Sequence, residues 1–305
     1  MSKVTLHVLP SQPPMSFSDW SAMPGSIALD GYISGPTKLD LGTKRLNLNH
    51  HEGVDRLSTR ATCAQVLMVL RMGLLESFTE QLHIFVSDCD EDVCLSVWLL
   101  KHPEMATNIV NPVLNRLVSV TDALDSTGGA YPFPASLIAL QLQSWVFQPY
   151  RIAKKNGLIA KRDAETFHSI IDSVGHRIDR VVMGEVPEFT IDSSYHVVKQ
   201  YEGWAIIDET KSGGEWRTGF FADGGRAYVA IRSRGPDTYH YVIGKMSEFV
   251  SFNVLRIMEA LNHAENLKSA ADLWGGSDLV GGSPRIHGSH LSPSDLADIV
   301  LENLY

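Results

Sequence analysis

The sequence predicts an α/β protein: a mainly parallel sheet with flanking helices, followed by a smaller α+β C-terminal domain. Three observations carry this. In the first half, short apolar runs alternate with longer stretches of helical spacing. Those runs end on polar, ligand-type residues, as the strands of an open parallel sheet do at their carboxyl ends. Beyond residue 185 the character changes to paired strand-like segments and glycine-rich turns. At 305 residues the chain is long enough for two domains. The change of pattern places the boundary between 185 and 195 and divides the chain into 1–190 and 191–305.

SIALDG (26–31) is a short strand ending on Asp30, and RLNLNHH (45–51) a second ending on Asn49, His50 and His51. ATCAQVLMVLRMGLLESF (61–78) has helical spacing. LHIFVSD (82–88) is a third strand, and DVCLSVWLLKH (92–102) the helix after it. NRLVSVTDALDSTGG (115–129) reads as a fourth apolar run, delivering Asp122 and Asp125 at its end. Apolar residues three and four apart make 134–158 and 162–184 a helical connector. Further on, 195–209 reads as a strand pair, 217–235 as a hairpin turning at Asp223-Gly224-Gly225, and 248–267 as an amphipathic helix. A glycine-rich stretch covers 274–291. The last helix starts with Ser292 as its N-cap and Pro293 in its first turn.

The totals exclude some functions. A net charge of −9 argues against broad binding to duplex DNA, which needs a basic face. Three cysteines, Cys63, Cys89 and Cys94, with no C-x-x-C pair, fit neither a disulfide framework nor a thiolate metal site. They read as small apolar residues. No apolar signal region opens the chain, and no window approaches about 20 uninterrupted apolar residues. The expectation is a cytoplasmic protein with no membrane partner.

VSDCDEDVCL (86–95) places Asp88, Asp90 and Asp92 at alternate positions between two apolar runs. Like charges this close destabilise one another unless something neutralises them. Hard divalent cations such as Mg²⁺ and Mn²⁺ take oxygen ligands of this kind. An acidic turn favoured by a helix N-terminus is the simpler alternative. The four strand ends together would gather Asp30; Asn49, His50 and His51; Asp88, Asp90 and Asp92; and Asp122 and Asp125.

IALDGYISGPTKLDLGTKRLNLNHHE, with a strand-ending aspartate followed by a strand ending on paired histidines, resembles the DHH phosphoesterase superfamily. Asp30 matches the family's strand-ending Asp. Asn49-His50-His51-Glu52 matches its Asp-His-His motif with Asn in the leading place. Asp88-Cys89-Asp90-Glu91-Asp92 matches its D-x-D-x-D motif, which normally precedes the histidines and here follows them. YVAIRSRG (228–235) and WGGSDLVGGSPR (274–285) resemble divergent forms of the family's accessory substrate-binding domain.

The resemblance implies a metal-dependent phosphoesterase acting on a small nucleotide or short single-stranded oligonucleotide, with a homodimer left open. It implies two divalent cations, Mn²⁺ first and Mg²⁺ second, held by Asp30, His50, Asp88, Asp90 and one of Asp122 or Asp125. His51 is expected at the scissile phosphate, and Asp92 as an acid that orients a ligand. Arg232, Arg234 and Arg285, with the backbone of Gly276, Gly281, Gly282 and Ser283, are expected to hold a second phosphate. Arg56 and Arg60 follow the histidines and are further candidates for the cleft. A pyrophosphate or polyphosphate hydrolase, or a non-catalytic ligand-binding protein of the same fold, is the competing expectation.

Overall fold

The apolar runs become strands whose order in space differs from their order in the chain. The computed structural model describes residues 4–13, 15–56, 58–79, 81–107, 110–185, 187–269 and 272–305. The chain forms two units: residues 1–126 with 138–189, and residues 127–137 with 190–305. Residues 127–137, expected in the first domain, thus belong with the second.

The first unit contains strands β1 (Val4–Val8), β2 (Met15–Ser16), β3 (Ser26–Leu29), β4 (Ile33–Ser34), β5 (Lys38–Asp40), β6 (Arg45–Leu48) and β7 (Leu82–Val86). Its helices are α1 (Thr62–Arg71), α2 (Leu74–Ser77), α3 (Glu91–Lys101), α4 (Pro103–Thr107), α5 (Pro112–Ser126), α6 (Ile138–Val146), α7 (Gln148–Lys155) and α8 (Ala164–Val182). The main sheet has the order β1-β7-β3-β6-β5. Its first four strands are mutually parallel, and β5 closes one edge antiparallel to β6. Strand β1 lies in a stretch for which the sequence suggested no element.

Side chains alternate across the strands. Ile27, Leu29, Leu46, Leu48, Ile84 and Val86 face one way, into a core shared with α1, α3, α5 and α8. Ala28 and Phe85 face the other way, beneath Phe17, Trp20, Tyr32 and Ile33. Helix α3 is buried almost all round, from Asp92 to Leu100, which explains its unbroken apolar composition.

Two elements differ from expectation. Residues 115–129 are not a strand, because Leu114, Leu117, Val118 and Thr121 are buried at helical spacing on α5. Asp122 and Asp125 therefore reach the site from a helix. Residues 217–235 are not a hairpin, because Trp216, Phe220 and Phe221 pack as the short helix α9 (Trp216–Ala222). Asp223-Gly224-Gly225 terminates that helix. The Gly225 N–H bonds the Phe220 carbonyl, the Gly224 N–H bonds that of Phe221, and Gly224 takes φ +93°. This is a Schellman ending, which asks for a left-handed glycine where a hairpin turn would ask for two turn residues.

The second unit continues with β8 (Val197–Gln200), β9 (Ala205–Asp208), β10 (Ala227–Gly235), β11 (Thr238–Lys245), α10 (Val254–Ala264), β12 (Gly275–Gly276), β13 (Val280–Gly282) and α11 (Pro293–Glu302). Its sheet order is β12-β13-β11-β10-β9-β8. Among the described residues of this sheet, only β9 and β10 pair in parallel. Ile206, Val229, Tyr241 and Ile243 pack against α10 and α11 on one face, while Ile207, Tyr228 and Ala230 pack against α9 on the other. Ser292 caps α11 by accepting the Asp295 N–H, with Pro293 in the first turn.

Candidate metal centre

The carboxyl ends of β3, β6 and β7 deliver the loops of the site, and three helix ends complete it. Asp30 follows β3 in the left-handed conformation, φ +51°, with Gly31 at φ +77° after it. Asp is one of the few residues that tolerates this geometry. The Asp30 N–H bonds the Leu48 carbonyl at 2.9 Å, which ties the bend to the end of β6. Asn49, His50 and His51 follow β6, and the first two are fully buried.

His50 is the centre of the cluster. Its Nε2 lies 2.7 Å from Asp125 Oδ2, 3.4 Å from Asp30 Oδ1 and 3.7 Å from Asp92 Oδ2. Neither ring nitrogen has a hydrogen-bond partner of good geometry, and Asp125 Oδ2 has none either. Among the described residues, two groups of ligand-type atoms converge here and share His50: Asp30 with His50 and His51, and His50 with Asp92 and Asp125. An orphaned buried nitrogen beside orphaned carboxylate oxygen is the donor set that a divalent cation satisfies.

Without a cation, the cluster's electrostatics hold protons in it. Burial raises the Asp88 carboxyl above its usual range, and the Asp30 charge adds to it, with Arg162 and Lys154 in partial opposition. Asp90 is driven well above that range, first by burial and then by Asp30, Asp125, Asp88 and Asp92. Asp92 is pushed up to about 7 by burial and by Asp30 and Asp125. Burial opposes charge on His50, but Asp125 and Asp30 overcome it and push the imidazole up to about 10. Asp30 alone sits below its usual range, because the two histidines outweigh its burial. The two histidines meet Asp30, Asp92 and Asp125 directly, and the Asp30 charge links Asp88 and Asp90 to these.

The expected residues take distinct places. Asp125 is the α5 carboxylate at His50. Asp122, the alternative, accepts the Ala61 N–H at 2.7 Å and faces Arg60 at 3.6 Å. Asp92 uses one oxygen on the Thr62 N–H at 2.7 Å and the other on the Cys63 N–H at 2.6 Å. Those N–H groups open α1, so Asp92 anchors a helix N-terminus while it lines the cluster. Asp90 caps α3 through the Val93 N–H at 2.9 Å, and Asp88 accepts the Cys89 N–H.

Asn49 is more than a neutral stand-in for aspartate. Its Nδ2 donates to the Gly35 carbonyl at 2.8 Å, and its Oδ1 accepts the His51 N–H at 3.1 Å. A carboxylate would have no donor for Gly35. Thr62, absent from the sequence-level candidates, donates its hydroxyl to Asp30 Oδ1 at 3.1 Å. Only its position at the first turn of a helix could have marked it.

The second unit holds the remaining candidates. Arg232 pairs with Glu209 at 3.2 Å. Arg234 donates to the Arg285 carbonyl at 3.3 Å, which brings those two residues together. Gly276, Gly281 and Gly282 form a closed hairpin rather than the open backbone cradle expected of them. The backbone of β13 is laddered to β11 on one side and β12 on the other. A Cβ on Gly276 would meet the Val280 carbonyl oxygen at 2.3 Å, and one on Gly281 the Met258 sulfur at 2.2 Å. These glycines answer to close packing. The Ser283 hydroxyl accepts the Tyr241 N–H at 3.0 Å and is likewise committed to the sheet.

Among the described residues, no helix is long and apolar enough to cross a membrane. Neither a family profile nor a curated protein sequence matches the chain. A solved structure of an uncharacterized protein from Helicobacter pylori G27 aligns over 93% of this chain and 99% of its own, with 10% identity and a TM-score of 0.20. Similarity at that level carries no argument about fold or function.

Proposed function

We propose that the protein is a metal-dependent phosphoesterase acting on a phosphate ester or phosphodiester of a small nucleotide or short oligonucleotide. The observation that carries this reading is His50. It is a fully buried imidazole whose Nε2 lies 2.7 Å from Asp125, 3.4 Å from Asp30 and 3.7 Å from Asp92, so that three carboxylates converge on one nitrogen. Asp30, His50 and Asp125 would hold the divalent cations, Mn²⁺ or Mg²⁺, with Asp88 and Asp90 at the rim. Cations bound there lower the pKa of water and neutralise charge that develops on phosphoryl oxygens. Asp92 holds α1 in place and so fixes the floor of the site. Thr62 donates a hydrogen bond to Asp30 Oδ1, His51 Nε2 lies 2.8 Å from the same oxygen, and together they aim that carboxylate.

The test is release of p-nitrophenol from bis-p-nitrophenyl phosphate and p-nitrophenyl phosphate, with Mn²⁺ and with EDTA. Wild type should turn over only with Mn²⁺, and Asp125→Asn and Asp30→Asn should lose that turnover. Metal-independent turnover, or full activity in both variants, would overturn the proposal. Binding of Mn²⁺ without turnover of any phosphate ester or of pyrophosphate would replace it with a ligand-binding role.

A further inference from the structure

We propose that α7 and the turn leading into α8 form a phosphate-binding rim of the cluster, in which Lys154 and Arg162 hold a second phosphate of the substrate beside the one at the metal ions. The role in a substrate complex rests on the proposed function; the affinity of the rim for a phosphate chain does not. The chain has a net charge of −9, yet residues 151–162, RIAKKNGLIAKR, carry five basic residues and no acidic one. Lys154, Lys155, Lys161 and Arg162 are exposed. A strip of one sign on an acidic chain attracts an anion locally against the global charge.

The fold sets this strip against the cluster. Arg151 Nε donates to Glu91 Oε1 at 2.7 Å, which fastens α7 to the start of α3, next to Asp90. Tyr150 thereby comes close to the aspartates: burial raises its hydroxyl, and the charges of Asp90, Asp88 and Glu91 add to the rise. Lys154, one turn further along α7, has its Nζ 5.6 Å from the centre of the Tyr150 ring. Arg162 arrives from the turn. It takes φ +49°, its Nε donates to the Pro10 carbonyl at 2.6 Å, and its Nη2 donates to the Ser87 carbonyl at 3.2 Å. Those carbonyls follow β1 and β7, which pair in parallel, so the guanidinium is held across two neighbouring strand ends, one residue from Asp88. Burial raises the Asp88 carboxyl, and Arg162 and Lys154 are the two basic side chains that oppose the rise.

Charge balance gives these two side chains their task. With divalent ions among the aspartates, the carboxylates are neutralised from within, and Lys154 and Arg162 remain as positive charge at the rim. A guanidinium has five N–H donors. Arg162 spends two of its own on carbonyls, and the rest of the fork is left for an anion. Arg56, by contrast, has its Nη2 2.6 Å from His51 Nδ1 and serves the cluster itself. One phosphate at the metal ions and a neighbour on Lys154 and Arg162 suits a substrate with phosphates in series, either a single-stranded oligonucleotide or a polyphosphate chain.

The test is fluorescence anisotropy of a fluorescein-labelled, hydrolysis-resistant phosphorothioate pentathymidylate on the full chain, beside calorimetric titration of inorganic tripolyphosphate, both with Mn²⁺ in excess. Lys154→Gln and Arg162→Gln should each weaken binding of at least one probe about tenfold, the size of one lost charge-assisted hydrogen bond. Lys44→Gln, on the turn before β6 and so at the opposite end of the sheet, should not. Each rim variant should also reduce the slope of log K against log salt for the oligonucleotide by roughly 0.7. Loss with the oligonucleotide alone identifies the second phosphate as a neighbouring diester, loss with tripolyphosphate alone as part of a polyphosphate, and loss with both supports the rim for either. Lys154→Gln carries the test where Arg162→Gln disturbs the strand-end loops. Unchanged affinity for both probes in a folded Lys154→Gln protein, an equal loss in Lys44→Gln, or no binding of either probe to wild type overturns the inference. If the phosphoesterase reading also holds, both rim variants raise KM for a 5′-phosphorylated thymidine dinucleotide more than for bis-p-nitrophenyl phosphate, which has no second phosphate. Wild type that binds the probes through these residues but turns over no phosphate ester sinks that reading and leaves the rim standing.

Discussion

Asn49 and Asp90 show how much one atom matters in this site. Asn49 is fully buried and both donates and accepts. Asn49→Asp would keep the shape but place a carboxylate oxygen against the Gly35 carbonyl and add a buried negative charge. We expect a loss of roughly 3 kcal/mol, in the range for an uncompensated buried charge, measured by urea denaturation in EDTA. A stability equal to wild type would show that the amide is not needed as a donor. Asp90→Asn has the opposite sign. Asparagine caps a helix as well as aspartate does, and the change removes a carboxyl that burial and four neighbouring aspartates hold above its ordinary range. The variant should melt higher than wild type in EDTA and gain less from Mn²⁺. A lower melting temperature in EDTA would mean that the cap, rather than charge repulsion, governs this position.

At the scale of elements, the start of α1 is held from outside itself. Its N-cap position is Ala61, with no side-chain cap of its own. The Ala61 N–H goes to Asp122 on α5, and the Thr62 and Cys63 N–H groups go to Asp92 on α3. Asp92→Asn would replace one acceptor oxygen with an amide that faces a backbone N–H. The expected cost is about 2 kcal/mol, for a buried donor left unsatisfied, with early exchange of the Thr62 and Cys63 amides as the local signature. In the second unit the β10–β11 ladder places His240 opposite Arg232. Burial lowers its pKa, Arg234 and Arg232 add to that, and Glu209 opposes it. Since the folded state binds this proton less readily, the unfolded state takes it up first as pH falls. The stabilising contribution is complete above about 6.5, the ordinary histidine value, and is lost as pH drops towards the lower folded value. His240→Gln should flatten the melting-temperature profile below that pH, and an unchanged slope would assign the dependence elsewhere.

For the whole molecule, the two units divide the proposed labour unevenly. All of the Asp and His residues that converge on His50 belong to the first unit. A cation bound there stabilises only the folded state, by about 2.7 kcal/mol at a hundredfold excess over Kd. Hydrogen exchange should therefore gain protection with Mn²⁺ in β3, β6, α1 and α3, and not in β10 or β11. Protection gained first in the second unit would move the cation site out of the first. The apolar periodicity foretold the helices from 134 to 184 and most strands, because it reflects which side of each element meets a core. It misread 115–129, where Val118 and Val120 suggest a strand, although Leu114, Leu117 and Thr121 carry a helical stripe. It misread Asp223-Gly224-Gly225, since glycine serves helix endings and hairpins alike.

The sequence by itself determined the α/β class, the caps and the identity of the chemical groups, including the paired histidines and the alternating aspartates. Those depend on neighbours a few residues away, where backbone geometry is short-ranged. Only the tertiary structure decided that Asp125 rather than Asp122 meets His50, that Asp92 grips α1, and that His50 and His51 have different partners. Each of those outcomes depends on strand order and helix placement. The sheet brings β3, β6 and β7 side by side out of chain order, and no local pattern encodes which carboxylates that arrangement will bring within a few ångströms of one imidazole.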